Sequence, residues 1–247
     1  MEKYGLIGHP LGHSFSRNFF SDKFENEGIK AQYLNFDISS IDELPNVLAA
    51  NPELKGFNVT IPYKQKIFPF LDEISKEARE IGAVNVVKVV HKGGDTLLYG
   101  YNSDVIGFTE SIEPLLLPHH KKALVLGTGG ASKAVCYALT KRLKMEAVCV
   151  SRYQRPGTVT YNQITASDLE EYPVIINCTP VGMFPNIADC PPLPYEGMSE
   201  RNLLFDLVYN PEQTLFMRNG AKHGAVVKNG LEMLLLQAMA SWEIWNS

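Results

Sequence analysis

The chain has 247 residues, with 23 Lys and Arg against 27 Asp and Glu and a formal net charge of −4. That length holds one large domain or two modest ones and buries a substantial core without covalent staples. With 45% hydrophobic and 20% charged residues it has a globular composition, which excludes a disordered chain, and the acidic excess argues against holding nucleic acid by general electrostatics.

The apolar run Tyr4–Ile7 predicts a first strand, followed by a turn containing Gly8, Pro10 and Gly12. Ser14 is placed to cap a helix running to about Gly28, where glycine supplies the stop. Strands follow near Ala31–Phe36, Gly56–Thr60 and Val84–Val90, with helical patterns between them. Lys92-Gly93-Gly94-Asp95 reads as a tight turn joining Val84–Val90 to Thr96–Tyr101 in a hairpin. The first hundred residues therefore predict a mixed sheet with helices.

A helix is expected around Val105–Leu116, before Pro118. Lys122–Leu126 is a continuous apolar run suited to a central parallel strand. It leads straight into Gly127-Thr128-Gly129-Gly130-Ala131-Ser132 and an apolar helix, Ser132–Leu143. Further strands are expected at Ala147–Val150, Val174–Asn177, Leu203–Leu207 and Ala225–Val227. The alternation resembles a Rossmann sheet. The last helix, Leu231–Trp245, is apolar on most sides and so packs between other elements.

A glycine-rich turn between strand and helix suits a dinucleotide pyrophosphate. Gly127 permits the tight turn, Gly129 permits close backbone approach, and the helix start supplies free N–H groups. The third glycine of the usual pattern is replaced by Ser132, beside Ala131; both are small. An NAD site places an acid at the end of the second strand, and here the sequence is Val150-Ser151-Arg152-Tyr153-Gln154-Arg155. Arg152, with Arg155 as a second contact, suits a 2′-phosphate, so the expected cofactor is NADP. The bland alternatives are a glycine turn without a ligand and two solvated arginines.

Other polar residues fall where strands end: Ser14 and Ser16 in HSFS, Asn58 and Thr60 in NVTIPYK with Lys64 beyond them, Asn85 in GAVN, and Asp104 in GYNSD. Taken singly, each has an ordinary reading as a cap, a turn residue or a solvated lysine. Together with LGTGGASKAV, INCTPVGM, DLVYNP and NGLEMLLLQA, in this order along the whole chain, they resemble the shikimate dehydrogenase family. The chain departs from the family pattern with Arg17 after HSFS where Pro is usual, with Ser103, and with Pro180.

The resemblance implies an NADP-dependent oxidoreductase that reversibly reduces 3-dehydroshikimate to shikimate, on the way to chorismate and the aromatic amino acids. It implies a mixed-sheet α/β substrate domain over residues 1–103, completed by the helix 230–247. It also implies a Rossmann-like NADP-binding domain over 104–229, with the active site in the cleft between them. By resemblance Ser14, Ser16 and Tyr209 bind the substrate carboxylate, and Thr60, Asn85, Asp104 and Gln237 read the ring hydroxyls. Lys64 is the expected general acid/base, held in register by Asp104. The cofactor set is Gly127, Thr128, Gly129, Gly130, Ala131, Ser151, Arg152 and Arg155, with Leu207 and Gly230 near the nicotinamide. The alternatives are a quinate/shikimate dehydrogenase with relaxed cofactor use and a non-catalytic NADP or metabolite sensor of the same fold.

No signal peptide or membrane span is expected, so the protein is expected in the cytoplasm, as a monomer or homodimer, with a small-molecule substrate and no membrane or nucleic-acid partner. Cys136, Cys149, Cys178 and Cys190 show no C-x-x-C spacing and are expected as reduced, mostly buried thiols with no redox or metal role. His119 and His120 are adjacent and suggest no metal.

Overall fold

A computed structural model describes residues 1–12 and 15–247. The chain divides into two compact units, Met1–Ser103 with Ala238–Ser247, and Asp104–Gln237. The division falls inside the last helix, seven residues beyond its start.

The first unit contains strands β1 (Glu2–Gly8), β2 (Ala31–Asp37), β3 (Leu54–Val59), β4 (Glu73–Ile74), β5 (Val86–Lys92) and β6 (Asp95–Tyr101), with helices α1 (Phe15–Asn26), α2 (Leu44–Ala50) and α3 (Lys76–Ile81). They form one sheet in the order β2-β1-β3-β5-β6-β4. β1 runs parallel to both β2 and β3, whereas β5 is antiparallel to β3 and β6. The mixed sheet follows from the connections. Helical segments return β2 and β3 to the parallel sense, and the hairpin turns β6 back on β5. Gly93 and Gly94 sit at φ 61° and 94°, the left-handed conformations a two-residue hairpin turn requires.

β1 is buried on both faces because its side chains serve two cores. Ile7 packs with Leu44, Leu54, Phe57, Val59 and Ile67. Tyr4 and Leu6 point the other way, toward Phe20, Phe24, Tyr33 and Trp245 of the terminal helix. Gly56 is required at that second face, since a Cβ there would lie 2.2 Å from the Trp245 ring.

The second unit begins with α4 (Asp104–Ile112). It continues through β7 (Lys122–Leu126), α5 (Gly130–Tyr137), β8 (Glu146–Ser151), β9 (Thr158–Thr160), α6 (Ala166–Glu171), β10 (Val174–Asn177), β11 (Leu203–Asp206), α7 (Leu215–Lys222), β12 (Val226–Lys228) and the start of α8 (Leu231–Asn246). Its sheet is wholly parallel, in the order β12-β11-β10-β7-β8-β9. Counted within this unit, that is the doubly wound Rossmann order, which reverses between β7 and β10 and opens a ligand crevice at their carboxyl ends. α5 continues without a break as a π turn over Ala138–Arg142. Among the described residues no helix is long and apolar enough to cross a membrane.

Candidate active site

The first unit gathers Thr60, Lys64 and Asn85 along one edge of its sheet. Thr60 follows β3, and its N–H donates to the Ile7 carbonyl at 2.9 Å. Val59 N–H donates to the Asn85 carbonyl at 2.8 Å and Val84 N–H to the Lys64 carbonyl at 2.8 Å, so Thr60, Lys64 and Asn85 share this edge. Lys64 is half-buried on the turn anchored by the buried Tyr63 and Ile67. Ser14 lies outside the described residues. The loop before it is pinned by Asp37, whose carboxylate takes His9 Nδ1 at 2.6 Å and the Leu11 N–H at 2.9 Å. Those two contacts, the backbone one foremost, hold the Asp37 carboxyl below the usual range.

Beneath this edge runs a buried polar chain that the motifs do not reveal. Ser16, on the first turn of α1, hydrogen-bonds Tyr33. The Tyr33 hydroxyl donates to Asn58 Oδ1 at 2.8 Å, and Asn58 Nδ2 donates to Ser241 Oγ at 2.9 Å. Ser241 Oγ lies 3.1 Å from Ser103 Oγ, and Asn85 Nδ2 donates to Ser103 Oγ at 3.0 Å. The chain therefore begins at one expected substrate residue, Ser16, and ends at another, Asn85. In a low-dielectric interior such a chain is worth keeping only if every member is satisfied, and then it fixes the rotamers at both ends.

In the second unit the expected cofactor residues converge on the crevice. Gly127 follows β7 at φ 111°, and a Cβ there would lie 3.1 Å from Thr179 Cγ2 after β10. Gly129 precedes the first turn of α5 with no side chain over it and open space where a Cβ would stand. The free N–H groups of Gly130 and Ala131 start the helix there. Ser132 fits the third-glycine position because it is buried and donates its hydroxyl to the Gly129 carbonyl at 2.7 Å. Arg155 Nη1 donates to Thr128 Oγ1 at 3.3 Å, which brings the loop after β8 onto the glycine turn.

Ser151 is buried at the end of β8, and Arg152 is exposed with its guanidinium 5.9 Å from the Tyr153 ring centroid. Beside Arg155 a pocket of about 470 Å³ opens between Val148, Val159 and the loop 154–158. An anion-accepting helix start, an uncovered glycine and an exposed arginine next to an open pocket fit an NADP pyrophosphate and 2′-phosphate. Gly230 and Leu207 also meet, because a Cβ on Gly230 would lie 2.2 Å from the Leu207 carbonyl oxygen.

Asp104 is buried at the first turn of α4, Tyr209 is half-buried after β11, and Gln237 is buried on α8 with its Nε2 donating to the Leu234 carbonyl. Gly107 lets α4 approach α8 here, since a Cβ would stand 2.5 Å from the Met233 carbonyl oxygen.

Sequence reasoning passes over Asp206, the polar hub at the carboxyl edge of this sheet. Its carboxylate accepts from Thr214 Oγ1 at 2.6 Å, Asn177 Nδ2 at 2.9 Å and the Val208 N–H at 3.0 Å. Asn177 in turn accepts from the Thr179 hydroxyl at 2.6 Å, so Asp206 ties the loops after β10 and β11 together. Burial raises its pKa to about 6 from 3.8, against those three donors. A raised folded-state value favours the protonated native form, so this contribution is complete below pH 3.8 and is lost as pH rises through about 6. Asp206→Asn should remove the titration. Unfolding free energies from urea titrations should shift in favour of the variant by up to about 3 kcal/mol between pH 4 and 7. A difference that stays flat over that range would mean the donors compensate the charge fully.

The cysteines differ from expectation in burial: all four are only half-buried free thiols. β8 is too exposed at its amino-terminal end to shield Cys149 fully.

Comparison with known proteins bears on the whole chain. Residues 6–87 match a family model described as the shikimate dehydrogenase substrate binding domain. The chain is 37% identical over 259 residues to the shikimate dehydrogenase (NADP(+)) of Methanococcus maripaludis strain C7, covering 98% of this chain and 90% of that one. The crystal structure of shikimate 5-dehydrogenase from Thermus thermophilus, in complex with NADP(H) and shikimate, is similar at a TM-score of 0.85 and 31% identity, covering 99% of this chain and 93% of that one. A chorismate mutase/shikimate 5-dehydrogenase fusion protein from Clostridium acetobutylicum is similar at a TM-score of 0.84 and 35% identity, covering 99% and 91%.

Proposed function

We infer the reaction from one premise: the chain belongs to the shikimate dehydrogenase family. It is an NADP-dependent oxidoreductase that reversibly reduces 3-dehydroshikimate to shikimate, on the route to chorismate and the aromatic amino acids. The observation that carries this reading is the order-reversing parallel sheet with its open glycine turn and exposed Arg152, in one chain with the Thr60, Lys64 and Asn85 edge.

Bound NADPH supplies the hydride that the carbonyl carbon receives. Reduction leaves negative charge developing on the carbonyl oxygen, and the Lys64 ammonium stabilises that charge and donates the proton. In the oxidation direction Lys64 accepts the hydroxyl proton. Ser14 donates to the substrate carboxylate with Tyr209, and Ser16 joins them once its hydroxyl turns away from Tyr33, without burying a second charge against the carboxylate. Thr60, Asn85, Asp104 and Gln237 hydrogen-bond the ring hydroxyls, and an analogue lacking them leaves those groups unpaired.

Gly127, Thr128, Gly129, Gly130 and Ala131 hold the pyrophosphate. Ser151, Arg152 and Arg155 hold the 2′-phosphate, and Leu207 and Gly230 border the nicotinamide. The protein acts on its small-molecule substrate in the cytoplasm, as a monomer or homodimer.

The direct test is shikimate-dependent reduction of NADP followed at the nicotinamide absorbance, with NAD and quinate as comparisons. Arg152→Ala should raise the KM for NADP by about tenfold or more, the worth of one charge-assisted phosphate contact, and leave the KM for NAD unchanged. No turnover of shikimate would overturn the reading, and turnover of quinate at equal efficiency would favour a quinate/shikimate enzyme.

A further inference from the structure

Cys136 lies on α5, the helix that opens at the glycine turn, and Cys149 lies on β8, the strand that ends at Ser151, next to Arg152. Their Sγ atoms are 3.2 Å apart. Both are half-buried free thiols. The two thiols share a hydrogen bond, which holds the Cys149 thiol below the usual range against the opposing effect of burial and pushes Cys136 up. Cys178 is raised by burial, and Cys190 lies elsewhere, within 3.5 Å of Asn219 Nδ2. One thiolate-prone sulfur with a resolving thiol in contact is the arrangement that oxidises reversibly.

We propose that Cys136 and Cys149 form a hydroperoxide-sensitive dithiol whose closure to a disulfide weakens NADP binding by the second unit. The Cys149 thiolate attacks the peroxide. Its S–O bond forms as the O–O bond breaks, sulfur is oxidised to the sulfenic acid, and the distal peroxide oxygen leaves as water or an alcohol after taking a proton from solvent. Cys136 then attacks Cys149 Sγ; the S–S bond forms, the S–O bond breaks, and the oxygen leaves as water with the Cys136 proton. A dithiol reductant reverses the closure by exchange. A disulfide bond is about 2.05 Å long, so the two sulfurs must approach by roughly 1 Å. That movement draws α5 and β8 together and displaces the groups at their ends, Gly130 and Ala131 on one side and Ser151 and Arg152 on the other.

The test treats the full chain with hydrogen peroxide and reads thiol count, intact mass, a peptide map and the fluorescence-measured Kd of NADPH, none of which depends on turnover. The oxidised protein should lose two thiols and two hydrogens, map a Cys136–Cys149 link, and bind NADPH more weakly by a factor on the order of ten, the worth of one charge-assisted phosphate contact. Dithiothreitol should restore both. Cys136→Ser should stop at a Cys149 sulfenic acid that dimedone traps, and Cys149→Ser should keep its remaining thiols. The wild-type map decides the matter alone if either variant is unstable. Four thiols surviving peroxide, a link that uses Cys178, or a correct link with unchanged NADPH affinity would each overturn the proposal.

Discussion

Lys64→Ala is expected to lower kcat for shikimate oxidation by about 10²–10⁴-fold while raising the KM for shikimate far less. The asymmetry follows from when the ammonium acts. Charge on the reacting oxygen develops mainly in the transition state, so a group aimed at that oxygen contributes little to ground-state affinity. The fold supports such precision. The Lys64 carbonyl is held by the Val84 N–H at 2.8 Å, and the neighbouring Tyr63 is 2% exposed with its hydroxyl donating to the Ile38 carbonyl at 2.6 Å. A backbone fixed on both sides leaves only the side chain to find its register.

Lys64→Arg separates charge from proton transfer, because a guanidinium stabilises the developing charge but does not give up its proton. That variant should recover only the share of kcat that charge stabilisation supplies, with the KM for shikimate little changed. A near-normal kcat in Lys64→Ala would remove this residue from the chemistry and leave the proton to another group.

The parts of the fold legible in the sequence are those where one local signal dominates. Lys122–Leu126 and Val174–Asn177 appear with the expected bounds because a continuous apolar run is ended abruptly by Gly127 or by the polar Asn177. The hairpin appears because Gly93-Gly94 takes the two positive φ values of a tight turn without steric cost. β4 and β9 are not legible. Each has two or three residues, half-buried at best, so neither carries a periodic pattern, and each forms only because a sheet edge is waiting for it.

The sequence predicts one helix after the glycine turn, running to Leu143, and the structure replaces its last turn with a π turn over Ala138–Arg142. An apolar run does not encode which carbonyl each N–H will find. Within the candidate site, motif residues are legible and their supports are not. Ser241 sits in a helix that reads as core, and its partners Ser103 and Asn58 lie 138 and 183 residues away. No local window holds that information. A separation of 25 residues likewise hides the contact of Tyr33 with Asn58, and Asp206 passes as part of an apolar strand.

Trp245→Ala is expected to destabilise the protein by about 3–5 kcal/mol, the range for emptying a large aromatic from a packed core. Three effects add. The ring lies 5.0 Å from Tyr4, 5.3 Å from Phe20 and 6.4 Å from Tyr33, centroid to centroid, so its removal takes a shared wall from the cluster. Its Nε1 donates to the Val87 carbonyl at 3.0 Å, and truncation leaves that buried acceptor unpaired. The space over Gly56 cannot be refilled by the backbone, which lies in the middle of a sheet.

Trp245→Phe keeps most of the area and loses the N–H, and should cost about 1–3 kcal/mol. Function should follow in a specific way. Ser241 stands one helical turn before Trp245, so a loosened helix end disturbs the chain from Ser16 to Asn85 and raises the KM for shikimate, leaving the KM for NADP near its original value. Urea unfolding followed by far-UV dichroism, with both KM values taken below the transition, measures the two effects separately. A loss under about 1 kcal/mol would mean that the terminal helix is held by contacts other than this indole.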